Sequence, residues 1–245
     1  MSFTLKRKFG QNFLIDKNIL NKISLLIHLE NLNILEIGPG DGNLTDNIVL
    51  RKPSHLTLVE IDKDLIKRLK NKYKNLNKID IINENILDFV FKEKYEIVIS
   101  NLPYNISSQI LVKLSTTNYN PDILILMFQK EFANRLLEKK LNSLNSLIKC
   151  FYNIKLNFNV SRNCFRPIPK VDSTVLTFEK KTKSLISKKE TQNFIIFKRK
   201  LFSHKRKSLK NLLKNYSLGD KFDLSLRVEN LELADLVKLF KLINS

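Results

Sequence analysis

Three short stretches of this chain combine residue types that can do chemistry. Asn101-Leu102-Pro103-Tyr104 follows a predicted strand, Glu96–Ser100. An Asn side-chain oxygen, with a backbone carbonyl left available by a following proline, can accept both hydrogens of an exocyclic amine. Such an amine on adenine is a poor nucleophile, because its lone pair is delocalised into the ring; held at both hydrogens, it presents that pair for reaction. An aromatic face such as Tyr104 can stack on an extruded base. The plainer alternative for the four residues is a turn with a packing tyrosine. In the second stretch, Glu36-Ile37-Gly38-Pro39-Gly40-Asp41-Gly42, three of the chain's five glycines fall within five positions. Glycine is required where φ is positive or where backbone must approach a ligand. The third is Glu60, 22 residues beyond Gly38, close to the spacing of about 20 at which an acidic residue takes ribose hydroxyls. A carboxylate at a strand end is otherwise a helix cap.

Glycine loop and spaced acid together point to a nucleoside-containing cofactor. A dinucleotide fingerprint wants a third Gly or Ala at position 43, where this chain has Asn43. No G-x-x-x-x-G-K-[ST] run occurs, which excludes a P-loop NTPase. The E-x-G-x-G-x-G form suits S-adenosylmethionine, whose amino-acid tail needs close backbone approach and which brings no pyrophosphate. Its sulfonium supplies the driving force, so the chemistry asks for no metal and no strongly shifted acid or base.

The elements that must position these residues follow from hydrophobic patterning. Asn33–Ile37 reads as a buried strand, the glycines as a loop, and Asn43 or Thr45 as the opening of a helix through Leu50. Strand, glycine loop and helix form the layout of a nucleotide-binding α/β unit. A strand over Leu56–Val59 leads to Glu60, and further strands are predicted over Ile79–Asn83, Glu96–Ser100, Asp122–Phe128, Phe151–Val160 and Val171–Phe178. Helical patterns cover Ser107–Thr116, Lys130–Lys140 and Leu144–Lys149. Only the loop Ser161–Lys170 separates the last two strands, as a closing antiparallel hairpin would require. In an open sheet of this kind ligands bind beyond the carboxyl ends of the strands, where Asn101–Tyr104 falls. From about Lys180, apolar positions such as Phe194, Leu201, Leu209 and Leu236 predict a small helical domain after a linker at Lys180–Ser187.

The chain has 245 residues, with 43 Lys+Arg against 24 Asp+Glu, a formal charge of +19. A Lys-rich genome bias accounts for part of this excess, and a polyanionic partner for the rest. Lys6, Arg7 and Lys8 precede the segment Gln11-Asn12-Phe13, and Lys198, Arg199, Lys200, Lys205, Arg206, Lys207, Lys210 and Lys214 crowd the start of the helical part. Interleaved apolar residues there make an amphipathic basic element suited to phosphates. Cys150 and Cys164 lack metal-ligand spacing, as in a reduced compartment. No apolar run reaches the roughly 18 residues of a membrane span. A cytoplasmic protein is expected.

Asn-Leu-Pro-Tyr after an E-x-G-x-G loop resembles the adenine-N6 methyltransferases. Further segments are similar to one branch, the KsgA-type small-subunit (16S) rRNA adenine-N6,N6-dimethyltransferases. They are Lys8–Leu14, Phe128–Glu131 with Asn134-Arg135-Leu136, Phe165–Ser173 (Phe-Arg-Pro-Ile-Pro-Lys-Val-Asp-Ser), and the basic run Phe202–Asn211. The resemblance implies a Rossmann-like class I methyltransferase domain over 1–180, with a seven-stranded, mostly parallel sheet, and an all-helical domain over 185–245 for rRNA or particle recognition. It implies a metal-free monomer that methylates two adjacent adenosines near the 3′ end of 16S rRNA in immature small subunits. By position, Asn12 and Leu14 would close over S-adenosylmethionine, Gly38 would hold its methionine part, and Glu60 its ribose. Asn101 would contact cofactor and target amine, with Pro103 and Tyr104 completing the catalytic set. Phe165 stands between a second wall of the base pocket and a packing aromatic. Two positions depart from the family pattern: Asn85 where Asp is usual, with loss of charge toward the cofactor adenine, and Ser143 near a usual glycine.

Two alternatives are weighed. The macrolide-resistance type, which modifies 23S rRNA, typically carries Asn-Ile-Pro-Tyr and lacks the Pro-Lys-Val-Asp-Ser run in this form. A non-catalytic RNA-binding factor on the same fold would have no need of the intact glycine loop and Asn101–Tyr104.

Overall fold

The computed structural model describes residues 12–214, 216 and 222–244. Lys6, Arg7 and Lys8, and the segment through Gln11, lie outside the described residues. The chain divides into two compact units: Ile154–Lys180 with the chain through Ala133, and Asn134–Asn153 with the chain from Lys181. A division at residue 180 alone would leave 134–153 with the first unit.

The first unit begins with β1 (Phe13–Leu14) and α1 (Lys17–Ser24), and then alternates. β2 (Asn33–Ile37), α2 (Asn43–Val49), β3 (His55–Glu60), α3 (Lys63–Lys72) and β4 (Ile79–Asn83) are followed by β5 (Ile97–Asn101), α4 (Ser107–Thr116) and β6 (Ile123–Gln129). The chain passes into the second unit along α5 (Lys130–Leu137), includes α6 (Asn145–Phe151) there, and returns to the first through β7 (Tyr152–Val160), followed by β8 (Phe165–Arg166) and β9 (Ser173–Lys180). The seven-stranded sheet has the order β4-β3-β2-β5-β6-β9-β7. Neighbours from β4 to β6 are parallel, and β9 runs antiparallel to β6. Thr174 Oγ1 donates to Asn159 Oδ1 at 2.7 Å and Asn157 Nδ2 to Thr177 Oγ1 at 2.8 Å, so numbering rises on β9 as it falls on β7. The pair is therefore the antiparallel hairpin expected from the sequence.

The parallel strands are near-continuous apolar runs because helices cover both faces of such a sheet. Ile34, Leu35, Leu56, Leu58, Ile97, Val98, Ile99 and Leu124–Phe128 are all buried. The stretch expected as loop, Ser161–Lys170, contains a single 3-10 turn at Arg162–Cys164 and then β8, which pairs antiparallel with β1 (Phe13 opposite Arg166, Leu14 opposite Phe165). Two-residue strands carry too little pattern to be read from sequence.

In the second unit, α7 (Thr191–Phe202), α8 (Leu209–Leu212) and α9 (Leu233–Asn244) are the helices after Lys181. Phe240 packs on Phe194 and Phe197 at centroid distances of 5.1 and 5.5 Å. Lys198, grouped with the exposed cations on sequence grounds, is buried instead: its Nζ donates to the Ser143 carbonyl and, at 3.1 Å, to Ser143 Oγ. No helix among the described residues is long and apolar enough to cross a membrane.

Candidate active site

The loop after β2 turns on its glycines. Gly38, Gly40 and Gly42 have φ of 64, 63 and 84°, the left-handed region that side chains disfavour. A Cβ on Gly40 would lie 2.7 Å from the Phe13 ring, so this residue must be glycine for β1 to pack across the loop. A Cβ on Gly38 would meet nothing within 4 Å, because that position faces an open cavity. Below the loop, the buried Glu36 accepts from Thr45 Oγ1 at 2.7 Å. Burial pushes its carboxyl up to about 8, so it is protonated at neutral pH.

The cavity, of about 350 Å3, lies at the carboxyl ends of β2 to β5 and is lined by Asn12, Phe13, Gly38, Glu60, Asn85, Asn101 and Tyr104 among others. A volume near 300 Å3 or above is typical of small-ligand sites. Glu60 ends β3 with its carboxylate held in place: Oε2 accepts from Gly40 N–H at 3.3 Å and Oε1 from Asp62 N–H at 2.9 Å. Burial raises its pKa, and those two N–H groups oppose the shift. Each oxygen retains a lone pair for a hydroxyl donor.

Asn85 follows β4, and its Oδ1 accepts from Leu87 N–H at 3.1 Å. That bond uses part of the acceptor capacity of an already uncharged group. Ser100 Oγ donates to the Ile37 carbonyl at 2.5 Å and ties the end of β5 to the glycine loop. Asn101 Nδ2 donates to the Asn12 carbonyl at 2.9 Å, which orients the amide and leaves Oδ1 without a partner among the described residues. Within the tetrapeptide, the Pro103 carbonyl accepts from Ile106 N–H and the Tyr104 carbonyl from Ser107 Oγ. The Leu102 carbonyl has no such partner among the described residues. Pro103 has no N–H to give. The Tyr104 hydroxyl lies 2.7 Å from Ser173 Oγ, and burial raises its pKa.

Asn12, Gly38, Glu60, Asn85, Asn101, Pro103 and Tyr104 thus share one cavity. Leu14 does not line it: the side chain is buried in the core, and the carbonyl accepts from Asn43 Nδ2 at 3.0 Å. Phe165 is likewise fully buried, a packing aromatic beside β1. Sequence reasoning missed Phe13 and Glu84 as wall residues, and Ser173 as the partner of Tyr104. Phe13 had a signal in the need for a glycine at position 40; Ser173 had none nearby. Among the described residues, no group of three or more His, Cys, Asp or Glu could hold a metal ion.

Known proteins resemble the chain along its whole length. The family profile described as ribosomal RNA adenine dimethylase matches residues 2–245. Ribosomal RNA small subunit methyltransferase A of Malacoplasma penetrans is 46% identical over 227 residues, covering 87% of this chain and 79% of that protein. The protein of the same name from Pelagibacter ubique is 39% identical over 253 residues, covering 96% and 95%. A dimethyladenosine transferase from Plasmodium falciparum superposes with a TM-score of 0.81 at 28% identity, covering 93% of this chain and 95% of that one. The 23S rRNA methyltransferase ErmE, at a TM-score of 0.74, 20% identity and coverage of 95% and 100%, shares the fold alone. With its profile matched almost from end to end, this chain belongs to the ribosomal RNA adenine dimethylase family.

Proposed function

We infer that this chain transfers methyl groups from S-adenosylmethionine to adenine N6 in rRNA, and that its target is the pair of adjacent adenosines near the 3′ end of 16S rRNA in immature small subunits. Family membership and relatives named for the small subunit support that target; the ErmE likeness does not favour 23S rRNA. The single observation that carries the chemistry is Asn101. Its amide is turned by the Asn12 carbonyl so that Oδ1 is left as an acceptor at the cavity wall.

The residues present fit the cofactor. Gly38 leaves open the space that a side chain would fill, and Glu60 offers two held carboxylate oxygens to ribose hydroxyls. Asn12 and Asn85 line the same cavity, and Asn85, being uncharged, gives a weaker acceptor than a carboxylate would. Leu14 supports the wall from the core through β1. When bound, S-adenosylmethionine supplies a methyl group on a sulfonium, an electrophile that needs no further activation.

Asn101 Oδ1 and the Leu102 carbonyl accept the two N6 hydrogens, Pro103 keeps that carbonyl free, and Tyr104 stacks on the base. The N6 lone pair is thereby drawn out of conjugation and becomes the nucleophile, and the proton shed after each transfer goes to water. Incubation with labelled S-adenosylmethionine and undermethylated small subunits, followed by nucleoside analysis, tests the assignment. N6,N6-dimethyladenosine confined to small-subunit rRNA is expected; label in 23S rRNA or no transfer overturns it.

A further inference from the structure

Ser173 is the first residue of β9, and it is fully buried. Because β9 runs against the parallel strands, its amino end lies opposite Gln129 at the carboxyl end of β6. Asn101, at the carboxyl end of β5, pairs with Met127 of the same strand. The one strand that reverses direction beside β6 therefore delivers a side chain to the edge where the cavity opens. The Ser173 hydroxyl uses that position on Tyr104, oxygen to oxygen at 2.7 Å, across 69 residues of sequence. Tyr104 lines the cavity, so this bond fixes the hydroxyl end of an aromatic side chain that borders the site. A phenylalanine could stack as well in area, but it would lack the hydrogen bond to Ser173.

We propose that Ser173 is a positioning residue that holds the Tyr104 ring for the second of two methyl transfers to one adenine, more than for the first. The proposal rests on the function inferred above. In the first transfer the amine carries two hydrogens, and the acceptors Asn101 Oδ1 and Leu102 carbonyl can orient it. The N6 lone pair forms the new N–C bond, the S–C bond breaks with its electron pair left on sulfur, and the nitrogen loses one proton to water. The product amine has one hydrogen and one methyl group. In the second transfer only one of the two acceptors still has a donor, and the added methyl presses the base out of its earlier position. Orientation then depends on the stacked ring, and the ring depends on Ser173. In that second transfer the same nitrogen forms its second N–C bond as the S–C bond of a second S-adenosylmethionine breaks with its electron pair left on sulfur, and it loses its last proton to water.

The test compares wild type, Ser173→Ala, Tyr104→Phe and the double variant on undermethylated small subunits with S-adenosylmethionine. Digestion to nucleosides resolves N6-methyladenosine from N6,N6-dimethyladenosine. At equal total methyl incorporation, both single variants should raise the mono- to dimethyl ratio by about fivefold, the effect of one neutral hydrogen bond. The double variant should be no worse than either single one, since both remove the same bond. Calorimetric affinity for S-adenosylmethionine should be unchanged throughout. An unaltered ratio in the single variants, or additive losses in the double variant, overturns the proposal. Should Ser173→Ala not fold, Tyr104→Phe removes the same bond and decides alone. Wild type that yields no dimethyladenosine counts against the inferred function itself.

Discussion

In the unit that carries the cavity, the buried titratable groups near the ligand loop include two glutamates, Glu36 and Glu60; in the helical unit a lysine, Lys198, is buried. Burial raises the acids and pulls Lys198 down to about 8, with Arg199 nearby adding to the shift. The three groups are satisfied differently. Glu60 takes two backbone N–H groups and keeps acceptor capacity toward the cavity, Glu36 takes a hydroxyl, and Lys198 gives its hydrogens to Ser143. The first unit uses buried polarity to aim groups at a ligand, and the second uses it to hold its own segments together. A basic run in the sequence is thus two populations: Lys198 is internal, while Lys205, Arg206 and Lys207 are exposed.

The strongest break of this comparison is at Asn101. If chemistry belongs to the first unit, Asn101→Ala lowers single-turnover methyl transfer by about a thousandfold. The salt dependence of RNA binding should not change. Transfer within about tenfold of wild type removes Asn101 as the anchor. Glu60→Ala comes next. Loss of two hydrogen bonds to a charged acceptor should weaken S-adenosylmethionine binding by roughly 3 kcal/mol, read by calorimetry. Unchanged affinity in a folded variant would move the ribose elsewhere.

The buried pair Glu36 and Lys198 sharpens the contrast through pH. Folded Glu36 keeps a proton that the unfolded chain releases, so its unit loses stability as pH rises from 4.5 to about 8. Lys198 behaves in the opposite sense: the unfolded chain keeps the proton to 10.5 and the folded one releases it near 8. Its unit gains stability as pH rises across that window. The swing should be about 5 kcal/mol for Glu36 and about 3 kcal/mol for Lys198. Hydrogen exchange on β2 and on α7 reads the two units separately, and Glu36→Gln or Lys198→Met should flatten one slope and leave the other. The smallest effect is expected at the surface. Neutralising Lys205, Arg206 and Lys207 together should lower the slope of log affinity for RNA against log salt by about 2 to 3, with cofactor affinity unchanged. An unaltered slope returns these residues to ordinary solvated surface.

The sequence by itself determined the order of the seven strands of the main sheet and of most helices between them, the glycine loop, and the fact that Glu60 and Asn101 close strands at the ligand edge. Those features are local. Apolar runs encode burial, clustered glycines encode positive φ, and parallel strands separated by helices place their carboxyl ends on one side. It also determined that Asn101–Tyr104 suits an amine, since residue types carry that chemistry wherever they stand. Only the tertiary structure decided the partners that come from far away. Asn12 turns the Asn101 amide from 89 residues off, Ser173 reaches Tyr104 because β9 reverses beside β6, and Phe13 covers Gly40 because β1 pairs with β8. It likewise moved Leu14 and Phe165 into the core and Lys198 beneath Ser143. Strand order and strand direction choose such partners, and neither leaves a mark in the residues on each side of the contact.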